Sequence, residues 1–571
     1  MKRVALRARG AGRTSAGDAP DAQTAAFDGR PVGRSRLRSN WGLWLVVPLS
    51  IAAVLQFADL GGKSLWDDEV TTVTIATQDS LEEVYTAYRS SERQPPLHYL
   101  VLHGWTRVAG ASDWAVRVPS ALFSVASVLL VAWLGLRVAG RRVGFLAAYL
   151  LAISPFLLLF GPMARYYSQA LFLVLLSMAL LLEAARRPQR SGRTRALWFL
   201  YFVASVAMLL TSYTNAAFFV AQIVLAAFLL SRHPQPSAPP AFRAQHEDDE
   251  PVDVRLLRRQ AALSQAAVAG AFAIWVAVDF DRLVGFASSD RQFAIGGVKE
   301  TALAAIYPLY AWTLGETIFP WHPAAIVALA IFIPAAGLGL VRLATGPPSH
   351  RAPIIALTTG LVLILVSFQF FVRDLPFETL ASRGIGGMPF LVLLVAAGLA
   401  SLPLRTTVLA LVVLTAAVGV SDLHYFQGRQ FHNATYALPT KEVVATVREL
   451  SHASDVIVSE PDLSVHYYFR AGPNSPTFFS ATEARAARKA LSNGSHDRVW
   501  LVTAGRDSTR GWRVKWGATQ LEAWMKQHFR LERTWRYVPQ DALYARIKAR
   551  MQGYPSYRYK LMLRLYARQA P

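Results

Sequence analysis

Three consecutive carboxylates, Asp67, Asp68 and Glu69, follow Leu65-Trp66 just beyond the first long apolar stretch of the chain. A carboxylate held against a substrate hydroxyl serves as a general base. Further along, Gln94-Pro95-Pro96-Leu97-His98-Tyr99 sets a histidine behind two prolines that fix the entry of a helix. Ala164-Arg165-Tyr166-Tyr167 places a cation beside two phenols, Glu316 follows Gly315, and Arg383 stands in a polar break between apolar stretches. Acids and arginines at the depth of lipid head groups suit chemistry on a lipid-borne substrate. Each also has a plainer role. First-turn acids cap a helix starting near Val70, Arg165 snorkels among interfacial tyrosines, and His98 packs at the interface.

Apolar helices must carry these residues. The chain has 571 residues, 53% hydrophobic and 17% charged, with no cysteine. Soluble domains carry about 25% charged residues, so the composition is that of a membrane protein. Some 20 apolar residues cross a bilayer. By that measure about eleven spans are expected, near 41–60, 118–138, 143–160, 168–184, 197–212, 214–231, 262–280, 322–341, 353–371, 387–402 and 405–420. The absence of cysteine excludes disulfides, thiolate catalysis and cysteine-ligated metals.

The net charge of +22 lies in the loops and does not call for nucleic acid. Arginines gather at 137–142, 186–195 and 255–259, and short basic loops mark the cytoplasmic side. Residues 1–40, with nine Lys or Arg against three Asp, read as a disordered cytoplasmic tail. Counting helices from an inside N-terminus puts every basic cluster inside. The same count puts 61–97, with seven acids against three bases, outside. Segments 80–90 and 97–108 are expected as interfacial helices, 232–261 as a flexible cytoplasmic loop, and 281–321 and 372–386 as further outside segments.

From about residue 430 the pattern changes. Residues 455–460, 498–503, 533–538 and 542–547 read as strands, and 440–450 and 519–529 as amphipathic helices. This gives a small extracytoplasmic α/β domain, 421–571, of net charge +11, behind a transmembrane domain, 41–420.

Together, Leu65-Trp66-Asp67-Asp68-Glu69, Gln94-Pro95-Pro96-Leu97-His98-Tyr99, Trp114-Ala115-Val116-Arg117-Val118-Pro119-Ser120 and Ala164-Arg165-Tyr166-Tyr167 resemble the GT-C glycosyltransferases of the protein O-mannosyltransferase and aminoarabinose-transferase superfamily. The likeness covers roughly 40–400. It implies a polytopic helical membrane fold and sugar transfer from a polyprenyl phosphate on the outer face. It also matches Asp68-Glu69 to the family's acidic pair. Where many relatives carry an acid near Arg165, this chain has Gly161-Pro162-Met163.

The chemistry fits on physical grounds. A polyprenyl phosphate leaves as a stable anion and needs a cation rather than an acid. The acceptor hydroxyl needs a base. The match to the family's acidic pair implies that role for Asp68, with Asp67 the near alternative and Glu69 in support. Arg165 and Arg383 are the phosphate candidates, with Arg373 and Arg93 behind them. Tyr166, Tyr167, His98 and Glu316 are the other substrate-contact candidates. The expected product is an inverted hexosyl or pentosyl linkage on a glycolipid, envelope glycan or protein. No metal or other cofactor is expected. Asp279-Phe280-Asp281 resembles a metal-binding D-x-D motif, but a helix end explains it. The expected site of action is a bacterial inner membrane, with membrane lipids as partners. The rival readings are a transporter of lipid-linked sugar, disfavoured by charge-free helix centres, and a non-catalytic envelope scaffold.

Overall fold

A computed structural model of the chain describes residues 37–187, 190–231, 253–289, 297–371, 379–459, 463–469, 476–480, 483–494, 496–506, 517–537, 543, 547 and 559–569. The expected tail up to residue 36, Arg373 and nearly all of the strand expected at 542–547 lie outside these residues. Contacts divide the chain into two compact units, Met1–Trp44 and Leu45–Pro571. The acidic stretch and every element around it belong to the second.

Helix α1 (Leu37–Phe57) precedes three shorter helices of the acidic region, α2 (Asp67–Ala76), α3 (Leu81–Ser91) and α4 (Leu97–Ala109). The bundle continues with α5 (Asp113–Ala139), α6 (Arg141–Ala152), α7 (Pro155–Phe160), α8 (Tyr167–Ala185), α9 (Gly192–Leu209), α10 (Ala216–Ser231), α11 (Val254–Val278) and α12 (Phe280–Ser289). Its last helices are α13 (Gly297–Leu314), α14 (Pro323–Thr345), α15 (Ala352–Phe371), α16 (Thr379–Arg383), α17 (Met388–Leu399) and α18 (Leu404–Phe426). Among the described residues, seven helical segments are long and apolar enough to cross a membrane.

Three places differ from the sequence expectation. The stretch 143–160 is two helices, because Pro155 has no N–H to continue the first; Ser154 Oγ caps the second by accepting from Leu157 N–H, 3.3 Å. The stretch 281–321 contains α13, whose Pro308 and Tyr residues hid its helical period. The stretch 387–402 yields only the twelve residues of α17, every one buried. This short helix crosses α14 at backbone contact: a Cβ on Gly339 would lie 1.8 Å from the Leu394 carbonyl oxygen, and one on Gly398 1.8 Å from that of Ala335. Small residues permit such close approach of membrane helices.

Beyond α18 the chain forms α19 (Thr440–Leu450), β1 (Val456–Ser459), α20 (Leu463–Tyr468), β2 (Thr477–Ser480), α21 (Ala484–Ser492), β3 (Arg498–Arg506), α22 (Gly517–His528), β4 (Phe529–Tyr537) and β5 (Tyr559–Arg568). The sheet order is β2-β1-β3-β5-β4. Strand β1 is parallel to β2 and β3, whereas β5 is antiparallel to β3 and β4. Alternation sends Ile457, Trp500 and Val502 to one face, against Val443 and Val447 of α19. Val458, Val499 and Leu501 go to the other, against Leu491 and Met525. Strands β2 and β5 were not expected from sequence, since β2 is four residues long and arginines interrupt β5.

Candidate active site

The acidic stretch becomes the first turn of α2, where carboxylates meet the positive end of the helix dipole. Its three acids are not equivalent. Glu69 is buried, and its two carboxylate oxygens accept four hydrogen bonds: from Trp66 N–H (3.3 Å), Ala164 N–H (2.7 Å), Arg117 Nε (2.8 Å) and Arg117 Nη2 (2.6 Å). Arg117, on α5, also donates to the carbonyls of Leu60 (3.0 Å), Lys63 (2.8 Å) and Ser64 (3.1 Å). One buried guanidinium thus shapes the loop leading to the acids and anchors the helix that bears them.

The opposite side of that loop meets the C-terminal sheet region. Leu65 N–H donates to Tyr468 Oη (2.7 Å), and Tyr468 in turn donates to Asp113. Lys441 pairs with Asp113 at 2.6 Å, and its backbone N–H donates to Ser64 Oγ, 3.0 Å.

Asp68 is left open. Nearly half of its side chain is exposed (46%), and its Oδ2 lies 3.4 Å from Arg165 Nη2. Burial of the surrounding region raises its carboxyl above the ordinary range; Arg165 opposes this, Glu92 adds to it, and Arg383 opposes it again. Asp67, half-buried, sits at the first position of the helix, where its carbonyl accepts from Thr71 Oγ1, 3.0 Å.

Arg165 lies in the irregular link between α7 and α8 and is buried. It pairs with Glu92, takes Thr72 Oγ1 at 2.8 Å and the Asp68 carbonyl at 3.2 Å, and lies 5.5 Å from the Tyr166 ring. Tyr166 and Tyr167 are buried, with Tyr167 edge-on to Phe160 at 5.2 Å.

Arg383 ends α16, where Thr214 Oγ1 donates to its carbonyl (2.8 Å) and Trp312 Nε1 to that of Ala381 (3.0 Å). Its guanidinium is half-buried and pairs with no carboxylate among the described residues. It is close enough to act on the charges of Asp68, Arg93 and Tyr166. Tyr436 completes this face, 4.8 Å from the Trp66 ring and within electrostatic reach of Asp68, Tyr167 and Glu316.

His98 and Glu316 hold the surroundings. His98 is buried, its Nδ1 3.0 Å from Gln169 Oε1, while Gln169 Nε2 donates to Thr211 Oγ1 (3.1 Å). That pattern makes Nδ1–H the donor, and burial lowers the imidazole pKa to about 4. His98 is therefore neutral near pH 7. Glu316 is buried, with its Oε1 accepting from Tyr307 (3.1 Å) and its carbonyl from His432 N–H (2.8 Å).

The D-x-D resemblance does not hold in three dimensions. Asp279 pairs with Arg282 at 2.5 Å and accepts from Tyr213 Oη at 2.6 Å, while Asp281 is exposed. Arg282 also binds Tyr88 Oη and the Glu92 carbonyl, which steadies the residue paired with Arg165. Among the described residues, no group of three or more His, Asp or Glu is arranged to hold a metal ion.

Sequence reasoning missed Glu92, Arg117, Tyr436 and Tyr468 as parts of this assembly. Glu92 stands two residues before the Gln94-Pro95-Pro96 stretch, and Arg117 lies within another of the stretches that carried the resemblance. Their partners are 73 and 48 residues away, so no local pattern reveals them.

The fold and site thus define a membrane protein with an open carboxylate at the end of a helical bundle, beside an arginine that pairs with no carboxylate among the described residues. Residues 93–238 match the family model for dolichyl-phosphate-mannose-protein mannosyltransferase. The fold matches that of ArnT from Cupriavidus metallidurans in the apo state, with a TM-score of 0.54 at 12% identity, covering 92% of this chain and 98% of that one. ArnT from the same organism bound to undecaprenyl phosphate gives 0.49 at 13% identity, with 91% and 98% covered. The arabinofuranosyltransferase AftD from Mycobacteria gives 0.45 at 15% identity, over 93% of this chain and 42% of its own. No curated protein matches the sequence. Residues 93–238 are thus similar to a mannosyltransferase family, and the chain as a whole shares the multi-helix membrane fold of ArnT.

Proposed function

We propose that this protein transfers a hexosyl or pentosyl group from a polyprenyl phosphate to an acceptor hydroxyl on the outer face of a bacterial inner membrane. The acceptor is a glycolipid, an envelope glycan or a protein. Asp68 takes the hydroxyl proton as the oxygen attacks the anomeric carbon, and the phosphate departs from the opposite side, inverting that centre. The observation that carries this reading is the division of labour among the acids. Glu69 is saturated with donors, whereas Asp68 is open and flanked by Arg165 and Arg383. The half-buried aromatic rings of Trp66 and Tyr436 offer faces for a sugar ring or the first isoprene units, whereas Tyr166 and Tyr167 are buried against each other.

Arg383 is the better phosphate ligand of the two arginines, because Arg165 already pairs with Glu92 and Asp68. Arg93 is within electrostatic reach of Arg383. Arg383→Gln should weaken donor binding by about 10- to 100-fold, the scale of one charged hydrogen bond. Titration of the purified variant with a polyprenyl phosphate checks this, and unchanged affinity would remove Arg383 from the role.

Residues 41–420 are proposed as the catalytic membrane domain and 421–571 as an extracytoplasmic domain that helps hold the acidic loop. Protease sites inserted within 61–97 and 421–571 should be cleaved in intact cells with a permeable outer envelope. Protection of either segment would reverse the topology. The function itself is tested by offering the purified protein a panel of polyprenyl-phosphate sugars with envelope lipids as acceptors. Turnover of one donor identifies the sugar, whereas transport of an intact donor across vesicles without transfer would favour the transporter reading.

A further inference from the structure

Helix α8 begins at Tyr167 beside the acidic site and runs 19 residues to Ala185, about 27 Å away at 1.5 Å per residue. At that far end, residues of α8, α9, α10 and α11 and the turn before α15 line a half-open cavity of about 320 Å³. Ligand pockets run from ~300 to 1,000 Å³, so this space is large enough for part of a ligand. Its walls include Leu182, Trp198, Ala226, Leu230, Leu257 and Ala261, and the polar side chains among its lining are Arg186 and Ser349. It lies where membrane-spanning helices end, at the depth where acyl chains meet head groups.

Positive charge collects at its edge. Arg137 (3.0 Å) and Arg187 both pair with Glu183, so one carboxylate serves two guanidiniums. Arg186 donates to the Arg137 carbonyl (3.2 Å) and Arg258 to the Leu230 carbonyl (3.0 Å). Arg351 donates to the Ala344 carbonyl (3.1 Å) and lies 5.5 Å from the Phe228 ring. None of these last three pairs with a carboxylate among the described residues.

We infer that this cavity binds one acyl chain of an anionic glycerophospholipid, with Arg186 holding the phosphate and Arg258 and Arg351 beside it. The apolar lining takes the chain, which no water-soluble anion would fill. The guanidiniums supply forked donors suited to phosphate oxygens, which a zwitterionic head group screens with its own cation. The site lies across the bundle from Asp68 and does not depend on the proposed reaction.

Native mass spectrometry of the full-length protein tests it, after delipidation and exposure to phosphatidylglycerol or phosphatidylcholine of the same chain length. The expected result is one retained phosphatidylglycerol and little phosphatidylcholine. Arg186→Gln should weaken retention by about tenfold, as for one lost charged contact. Ala226→Phe, which fills the cavity and leaves every arginine in place, should abolish it. Ala261→Leu fills the same space from α11 should Ala226→Phe fail to fold, as judged by elution profile and thermal midpoint. Equal retention of the two lipids, or full retention by the filled variant, overturns the proposal. Retention seen only after Asp248→Asn and Asp249→Asn also overturns it, assigning the arginines to the chain's own acidic run.

Discussion

Asp68→Asn is expected to lower sugar transfer by about 10²- to 10⁴-fold, the usual contribution of a positioned general base. The thermal midpoint and donor affinity should stay close to wild type. The amide keeps the shape of the carboxylate, and the residue is half exposed, so little packing is at stake. What disappears is the basic carboxylate, since an amide oxygen still accepts hydrogen bonds but is too weak a base to take a hydroxyl proton. A variant with wild-type turnover would move the base to Asp67, the adjacent acid whose carboxylate is not committed to Arg117. The pH profile offers a second reading of the same residue. Although nearly half of its side chain is exposed, the densely packed groups around it desolvate its carboxyl and hold it above the ordinary value of 3.8, and Glu92 adds to this. Protonation removes the base, so kcat/KM should fall on the acid side, with an apparent pKa above that value. Glu92→Gln removes the neighbouring negative charge and frees Arg165, and both changes should shift this limb to lower pH.

The second large effect concerns Glu69 and Arg117, and it should appear in stability rather than in chemistry. Arg117 makes five hydrogen bonds and Glu69 accepts four, all within a buried region. Removing one partner of a buried ion pair costs about 3–5 kcal/mol, because the other charge is left without compensation. Glu69→Ala and Arg117→Ala should therefore each lower the thermal midpoint in detergent by several degrees. Activity should be lost with it, since the loop carrying Asp68 loses its anchor. Arg117→Lys should not restore it: one ammonium cannot reproduce the fork that reaches Glu69 and three carbonyls together. If Glu69→Ala kept wild-type stability yet lost turnover, Glu69 would belong with the chemistry instead.

Most of the helical frame was legible in the sequence. Runs of about 20 apolar residues have few alternatives to a membrane helix, since every backbone polar group must be satisfied within the segment. The strands at 456–459 and 498–506 were equally plain, being short β-branched and aromatic runs. Legibility failed where a local signal was ambiguous. Ser154-Pro155 breaks an apolar run that reads as continuous, and the apolar stretch containing α17 yields only a short buried helix.

The candidate site divides along the same line. Composition and spacing determined that acids, arginines and tyrosines would gather at one end of an apolar bundle, because a charge on a membrane-spanning chain is tolerated chiefly where the helices end. They did not determine which acid is open. That was decided by Arg117, 48 residues from Glu69, and by Glu92, 73 residues from Arg165. Each buried cation claimed a carboxylate, leaving Asp68 exposed and Arg383 without a carboxylate partner among the described residues. Such pairing depends on which side chains the folded bundle brings within about 3 Å of each other, a distance to which local sequence spacing is blind. Sequence alone therefore gathered the acids and arginines at the ends of apolar helices, and only the tertiary structure separated the acid that shapes the loop from the acid that is left open.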